Sequence, residues 1–312
     1  MVLVVKSGGA AAFPEWQALF AEFMPELEVR AWDDPSVARE AVEYALVWEP
    51  TPGQLARYPN LRLILSSAAG VDHILADPEL PSHLPIVRMV TPDTVERMAD
   101  FVTAACYALI RDFPRIVALQ RERRWNESLC GRLASETQVA VMGLGQLGAA
   151  AARRLALNGF AVRGWARSEK AIDGVRCFAG DAQRDTFLAE CDVLVNLLPD
   201  TPETRGIIDA ALLGRLPRGA AVINVGRGSH LDARALLEAL DAQHVSAAVL
   251  DVFATEPLPK DDPLWQHPGI WVTPHIASAV PRRPRARQVA DCIAAQRRGE
   301  AIPHLYDRQR GY

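Results

Sequence analysis

From residue 137 onward, short apolar runs alternate with stretches whose apolar residues recur at helical spacing. The runs occupy 138–142, 161–165, 193–198, 221–225, 247–251 and 270–273, and the amphipathic stretches include 146–157, 184–191, 207–216 and 234–242. Strands that are apolar on both faces and separated by helices predict an α/β fold, a parallel sheet with helices on both sides. Six such strands complete a doubly wound sheet.

Residues 1–90 repeat the alternation on a smaller scale, with strands expected at 2–5, 28–31, 45–47, 61–65 and 86–89. They predict a second, smaller α/β unit of flavodoxin-like type. A helical stretch at 95–109 carries the chain from the first unit to the second, and another at 285–298 returns to the first. The expected division is a substrate domain of residues 1–98 plus 284–312 and a dinucleotide-binding domain of residues 99–283.

Composition narrows the class. The 312 residues are 49% hydrophobic and 23% charged, which excludes collagen-like, disordered and disulfide-scaffold chains. A formal net charge of −4 gives no electrostatic reason to hold a phosphate backbone, so no nucleic-acid partner is expected. No run approaches the ~18–20 apolar residues that span a bilayer, so no membrane partner is expected either. Met1-Val-Leu-Val-Val5 has no basic region ahead of it and reads as a buried strand, not a signal peptide. Five cysteines, an odd number without a C-x-x-C pair, fit a reduced, cytoplasmic protein. The seven histidines form no metal-ligand cluster.

Gly143-Leu-Gly145-Gln146-Leu147-Gly148 follows the first strand of the larger unit and opens a helix. In that context the glycines let the backbone approach a pyrophosphate seated on the unpaired N–H groups of the helix start, as in a Rossmann domain. An NAD-binding enzyme usually ends the next strand with an acid that accepts from the adenosine ribose. Here Ala166 stands at that place, followed by Arg167 and Ser168. A cation and a hydroxyl suit a 2′-phosphate, so NADPH is the preferred cofactor, with NADH use still open. The alternative is a solvated arginine on a loop.

Three chemically distinct groups follow successive late strands: Arg227, Glu256 and His275. The carboxyl ends of such strands are where open α/β sheets place their sites. Together the three suit reduction of a 2-keto acid. Arginine holds the carboxylate, histidine protonates the developing alkoxide, and the glutamate orients the imidazole and stabilises its charged form. Taken singly, each also reads as structure: a core histidine, an arginine capping a helix, a surface glutamate. Trp48 stands either beside a small substrate pocket or in the core.

These residues resemble the D-isomer-specific 2-hydroxyacid dehydrogenase family over nearly the whole chain. The linked motifs are the glycine loop, Asn196-Leu-Leu-Pro-Asp-Thr-Pro-Glu-Thr204, Asn224 to Gly228, Leu250-Asp251 through Glu256-Pro257, and Val272-Thr-Pro-His275. The chain is most similar to the glyoxylate/hydroxypyruvate reductase A group, through Tyr44-Ala-Leu-Val-Trp48, Ala69-Gly-Val-Asp72, Pro263 to Pro268 and Arg310-Gly-Tyr312. The resemblance implies NADPH-dependent reduction of glyoxylate and hydroxypyruvate, with Arg227, Glu256 and His275 catalytic. It implies that Ala69, Gly70 and Val71 offer backbone N–H groups to the substrate carboxylate. Leu198, Pro199 and Thr204 would lie along the cofactor and Asp251 near its nicotinamide. It further implies a homodimer through the dinucleotide-binding domain, with residues 101–125 carrying much of the contact. Two departures stand out: Ser278-Ala279 after the histidine, where many relatives have glycine, and the basic run Pro281-Arg-Arg-Pro-Arg-Ala-Arg287. The run reads as a solvated helix start or as an attractor of anionic substrate. Competing readings are formate dehydrogenase, which pairs its histidine with glutamine, and a cofactor-sensing corepressor, which can keep all three groups.

Overall fold

The structure, a computed structural model, describes residues 1–311; Tyr312, which ends the Arg310-Gly-Tyr312 motif, lies outside the described residues. The chain forms two compact units, Met1–Thr94 with the segment from Val280 onward, and Val95–Ala279.

In the first unit, five strands lie parallel: β1 (Val2–Lys6), β2 (Glu28–Ala31), β3 (Val42–Val47), β4 (Leu63–Ser66) and β5 (Ile86–Val87), in the order β2-β1-β3-β4-β5. Their period-2 alternation sends side chains into two separate cores. Leu3, Val5, Tyr44, Leu46, Leu63 and Leu65 pack against helix α1 (Phe13–Phe23) and against the helix at Arg282–Arg298. Val2, Val4, Ala45, Val47 and Ile64 fill the opposite face with Ile74, from the short helix α2 (Asp72–Leu75).

The second unit begins within α3 (Pro92–Ile110), which leads into α4 (Phe113–Arg121). Its strands are β6 (Gln138–Met142), β7 (Ala161–Ala166), β8 (Val175–Ala179), β9 (Val193–Asn196), β10 (Ala220–Asn224), β11 (Val245–Leu250) and β12 (Ile270–Val272). They form a seven-stranded parallel sheet in the order β12-β11-β10-β9-β6-β7-β8. Helix α5 (Gln146–Leu157) packs with α3 on Val139, Val141, Val193 and Val195. The other face carries α6 (Arg184–Leu188), α7 (Ala210–Arg215) and α8 (Ala233–Asp241) against Ala140, Met142, Leu194 and Val222. The strand order reverses between β9 and β6, which is where doubly wound sheets bind ligands at their carboxyl ends.

One expectation needs correction, and another gains detail. The sheet has a seventh strand, β8, beyond the six expected. It is an edge strand whose one neighbouring strand is β7, and of its residues only Phe178 is buried. Val-Arg-Cys-Phe-Ala therefore lacks the two-faced apolar run that marks the interior strands. The basic run opens a helix with Arg283 and Arg287 exposed, and its cations also make contacts with α1. In α9 (Arg282–Arg298), Arg282 pairs with Glu15 and Arg283 with Glu22, both acids of α1. Arg287 lies 4.0 Å over the Phe23 ring and Arg285 lies 5.3 Å over Trp16. Its cations hold α9 on α1.

Candidate active site

The glycine loop takes its shape from close backbone approaches. Gly143 has φ 97°, and a Cβ there would sit 2.6 Å from the Leu197 carbonyl oxygen. A Cβ on Gly148 would fall 1.8 Å from the Gly143 carbonyl oxygen, so only glycine lets α5 start so near β6. Gly145 is different: a Cβ would meet nothing within 4 Å among the described residues. No side chain caps α5, and its first turn, beginning Gln146-Leu147-Gly148, holds no acid. An open glycine before an uncapped helix start fits a dinucleotide pyrophosphate, which would lie on the first-turn amides. Ala166 ends β7 buried, while Arg167 and Ser168 are exposed. The Glu203 carboxyl lies below its ordinary value, chiefly through the Thr201 hydroxyl, and attraction from Arg167 adds to this.

That loop is internally braced. The Thr204 hydroxyl donates to the Pro199 carbonyl (2.7 Å) and accepts from the Thr201 N–H (2.9 Å), so it shapes residues 199–204. Leu198 N–H donates to Asn196 Oδ1 at 3.2 Å.

Each strand-end loop hangs from the strand before it. Val225 N–H donates to the Asn196 carbonyl, Asp251 N–H to that of Asn224, and His275 N–H to that of Asp251 (2.8 Å). This extends the parallel ladder past the strand ends and lines up the three late loops. The loop carrying Arg227 presses on the loop carrying Glu256 where Gly228 meets Phe253. Glu256 Oε1 accepts from the Phe253 N–H (2.9 Å), and Oε2 lies 2.7 Å from His275 Nδ1. Burial raises the Glu256 carboxyl. The hydrogen bonds from His275 and Phe253, with the attraction of His275 and Arg227, outweigh that and hold it below the ordinary value. The arginine, carboxylate and imidazole expected from sequence therefore act on one another.

Asp251 is 1% exposed, and its carboxylate is built into the histidine turn. Oδ1 accepts from the Thr273 hydroxyl (2.6 Å) and the Ile276 N–H, and Oδ2 from the Ala277 N–H. These bonds support His275, whose φ of 54° lies in the left-handed region that is uncommon outside glycine. The turn closes through Ala279 N–H to the Ile276 carbonyl, which uses no glycine at 278 or 279. Sequence reasoning missed Thr273 and Phe253. The threonine stood in the Thr-Pro-His motif, whereas Phe253 acts through its backbone and left no signal.

In the first unit, Trp48 follows β3, and its ring lies tilted against the His73 ring with centroids 4.3 Å apart. The loop after β4 turns its carbonyls toward the unit: Ala68 O accepts from Met89 N–H, Ala69 O from Arg88 Nε (2.8 Å) and Gly70 O from the Ser66 hydroxyl (2.8 Å). Because a peptide's N–H opposes its C=O, this aims the amides that follow away from those partners. Ala69 and Gly70 are half-buried and Val71 is buried.

A profile for the NAD-binding domain of D-isomer specific 2-hydroxyacid dehydrogenases matches residues 103–277. The chain is 38% identical to a glyoxylate/hydroxypyruvate reductase A from Serratia proteamaculans (strain 568) over 303 residues, 96% of each chain. Among solved structures, it matches a D-isomer specific 2-hydroxyacid dehydrogenase from Xanthobacter autotrophicus Py2, in complex with NADPH and MES, at TM-score 0.93 and 42% identity over 100% of this chain and 99% of that one. It matches an NADPH-dependent glyoxylate/hydroxypyruvate reductase from Sinorhizobium meliloti, in complex with NADP and sulfate, at TM-score 0.92 and 37% identity with the same coverage.

Proposed function

The chain belongs to the D-isomer specific 2-hydroxyacid dehydrogenase family, a family of oxidoreductases, and on that premise we propose that it reduces glyoxylate and hydroxypyruvate with NADPH. The observation that carries this reading is the 2.7 Å contact of His275 Nδ1 with a Glu256 carboxylate that also feels Arg227. The names of the relatives, with NADPH and NADP bound in their structures, support the cofactor and the substrate class.

NADPH, when bound, supplies the hydride. The chain's own residues do the rest. The α5 amides after Gly145 would hold the pyrophosphate bridge of the dinucleotide, Arg167 and Ser168 its 2′-phosphate, and Leu198 and Pro199 would contact it. The Arg227 fork pairs with the substrate carboxylate. Glu256 keeps the proton of neutral His275 on Nδ1 and stabilises the charged ring, so Nε2 is the nitrogen that delivers a proton to the forming alkoxide. Trp48 limits the size of the substrate. Asp251 serves the site by shaping the His275 turn.

We also propose a homodimer through the second unit. Helix α4 exposes Phe113 and Ile116, and the segment after it exposes Trp125 and Leu133, with Trp125 92% exposed. An exposed apolar group of this kind marks an interface. Among the described residues no helix is long and apolar enough to cross a membrane. Cys106, Cys191 and Cys292 are buried thiols pushed up by burial, Cys292 to about 11, which suits the reducing cytoplasm.

A spectrophotometric panel of 2-keto acids with NADPH and NADH tests the reading. Turnover of glyoxylate and hydroxypyruvate with NADPH is expected, and no turnover of any 2-keto acid would overturn it.

A further inference from the structure

Asn196 ends β9 and Asn224 ends β10, directly in register on paired parallel strands. Both side chains are fully buried, as is His230. Such groups are tolerated only when their hydrogen bonds are made, and here the donors and acceptors fit one assignment. Asn196 Oδ1 accepts from Leu198 N–H, and its two Nδ2 hydrogens go to Asn224 Oδ1 and His230 Nδ1, both at 2.9 Å. Asn224 Oδ1 also accepts from Gly226 N–H (3.2 Å), while its Nδ2 donates to the Arg227 carbonyl at 3.0 Å. His230 N–H donates to that same carbonyl at 3.2 Å. With Asn196 as the donor, His230 Nδ1 is the acceptor of this bond. A flipped Asn196 amide would set two oxygens face to face.

The segments joined at the two ends give the network its meaning. One end is the N–H of Leu198, in the loop assigned to the cofactor. The other is the Arg227 carbonyl, held from two sides, which fixes the backbone from which the guanidinium projects. The packing leaves no slack: a Cβ on Gly226 would lie 2.9 Å from Asn196 Nδ2 and 3.1 Å from His230 Nδ1.

We infer that Asn196 and Asn224 are positioning residues that set Arg227 for the substrate carboxylate and link its backbone to the cofactor loop. The inference rests on the role of Arg227 proposed above. His230, which no sequence argument could place, is the acceptor that completes the link.

Two isosteric variants separate this role from simple stability. Asn196→Asp keeps the acceptor for Leu198 N–H but points an oxygen at Asn224 Oδ1 and His230 Nδ1. Asn224→Asp keeps its acceptor for Asn196 and Gly226 but points an oxygen at the Arg227 carbonyl. Each should raise KM for glyoxylate by about tenfold or more, while the Kd for NADPH, read from protein fluorescence, stays within about twofold. Asn196→Ala, which also drops the Leu198 acceptor, should weaken both. Arg227→Gln is run alongside, with thermal melts of all variants. If Arg227→Gln raises KM but both Asp variants leave it unchanged, or move KM and Kd in proportion, the positioning role is overturned. If Arg227→Gln itself leaves KM unchanged, the substrate reading is what fails, and this inference falls with it. Should Asn196→Asp not fold, Asn224→Asp alone decides.

Discussion

Gly228 and Phe253 meet backbone to backbone: a Cβ on Gly228 would lie 1.8 Å from the Phe253 carbonyl carbon. No rotamer change can relieve that, because the obstacle is main chain. The contact sets the Arg227 loop against the Glu256 loop. Gly228→Ala should therefore cost about 1–3 kcal/mol of stability by overpacking, and should separate arginine from glutamate. A lower Tm together with a loss of keto-acid turnover is expected; wild-type values of both would show that the loops can part freely.

His275 is the proton donor in the proposed reduction. His275→Ala should lower kcat by ~10²–10⁴-fold, the usual worth of general acid catalysis, with NADPH still bound by fluorescence. Normal turnover in this variant would remove the assignment.

Glu256 makes a pH prediction with a definite sign. Its carboxyl is held below the ordinary value despite burial, so it stays ionised throughout the neutral range and favours the protonated imidazole. Its contribution to stability is present above the ordinary carboxylate value and is lost as pH falls through the lowered one. In Glu256→Gln the charged ring loses that partner. The limb on which reduction fails with rising pH should move to lower pH. An unmoved limb would mean that the pair does not govern the donor.

Arg227 predicts what the enzyme refuses. Glyoxylate should be reduced and acetaldehyde, which lacks the carboxylate, should not. Arg227→Lys retains the charge but loses the fork, so catalytic efficiency on glyoxylate should still fall. Equal efficiency on the two wild-type substrates would end the carboxylate role.

At the other end of the dinucleotide, one charge-assisted hydrogen bond contributes ~1.5–3 kcal/mol, or roughly ten- to over a hundredfold. NADPH should thus exceed NADH by about tenfold or more in kcat/KM. Arg167→Ala should weaken NADPH use alone. A loss shared equally by both cofactors would show that Arg167 does not read the phosphate.

Local pattern made much of this legible. The interior strands declared themselves because both faces are apolar, and Gly143 and Gly148 because nothing larger fits there. Arg227, Glu256 and His275 could be grouped because a parallel sheet brings successive strand ends to one edge. The edge strand β8 escaped since Arg176 and its neighbours meet solvent or are only half-buried. The role of Arg285 and Arg287 escaped because it depends on Trp16 and Phe23, distant in sequence and close only once α9 lies on α1. His230 was unreadable for the same reason: its partner Asn196 is 34 positions away. The Asp251 carboxylate was legible as polar, but its three hydrogen bonds exist only after the His275 turn has formed.

The return of α9 to the first unit also bears on how the chain is made. Ala286, Val289 and Ile293 belong to the same core as Leu3, Val5 and Trp16, so that core cannot close while synthesis is still passing through the middle of the protein. Residues 95–279, by contrast, are contiguous, and domains tend to fold as units when they emerge. The second unit can thus mature on the ribosome while the first waits with Trp16 and Phe20 uncovered. A nascent chain halted before residue 282 would present that apolar face to chaperones, and the attraction between the α9 arginines and Glu15 and Glu22 would then guide the closing helix home.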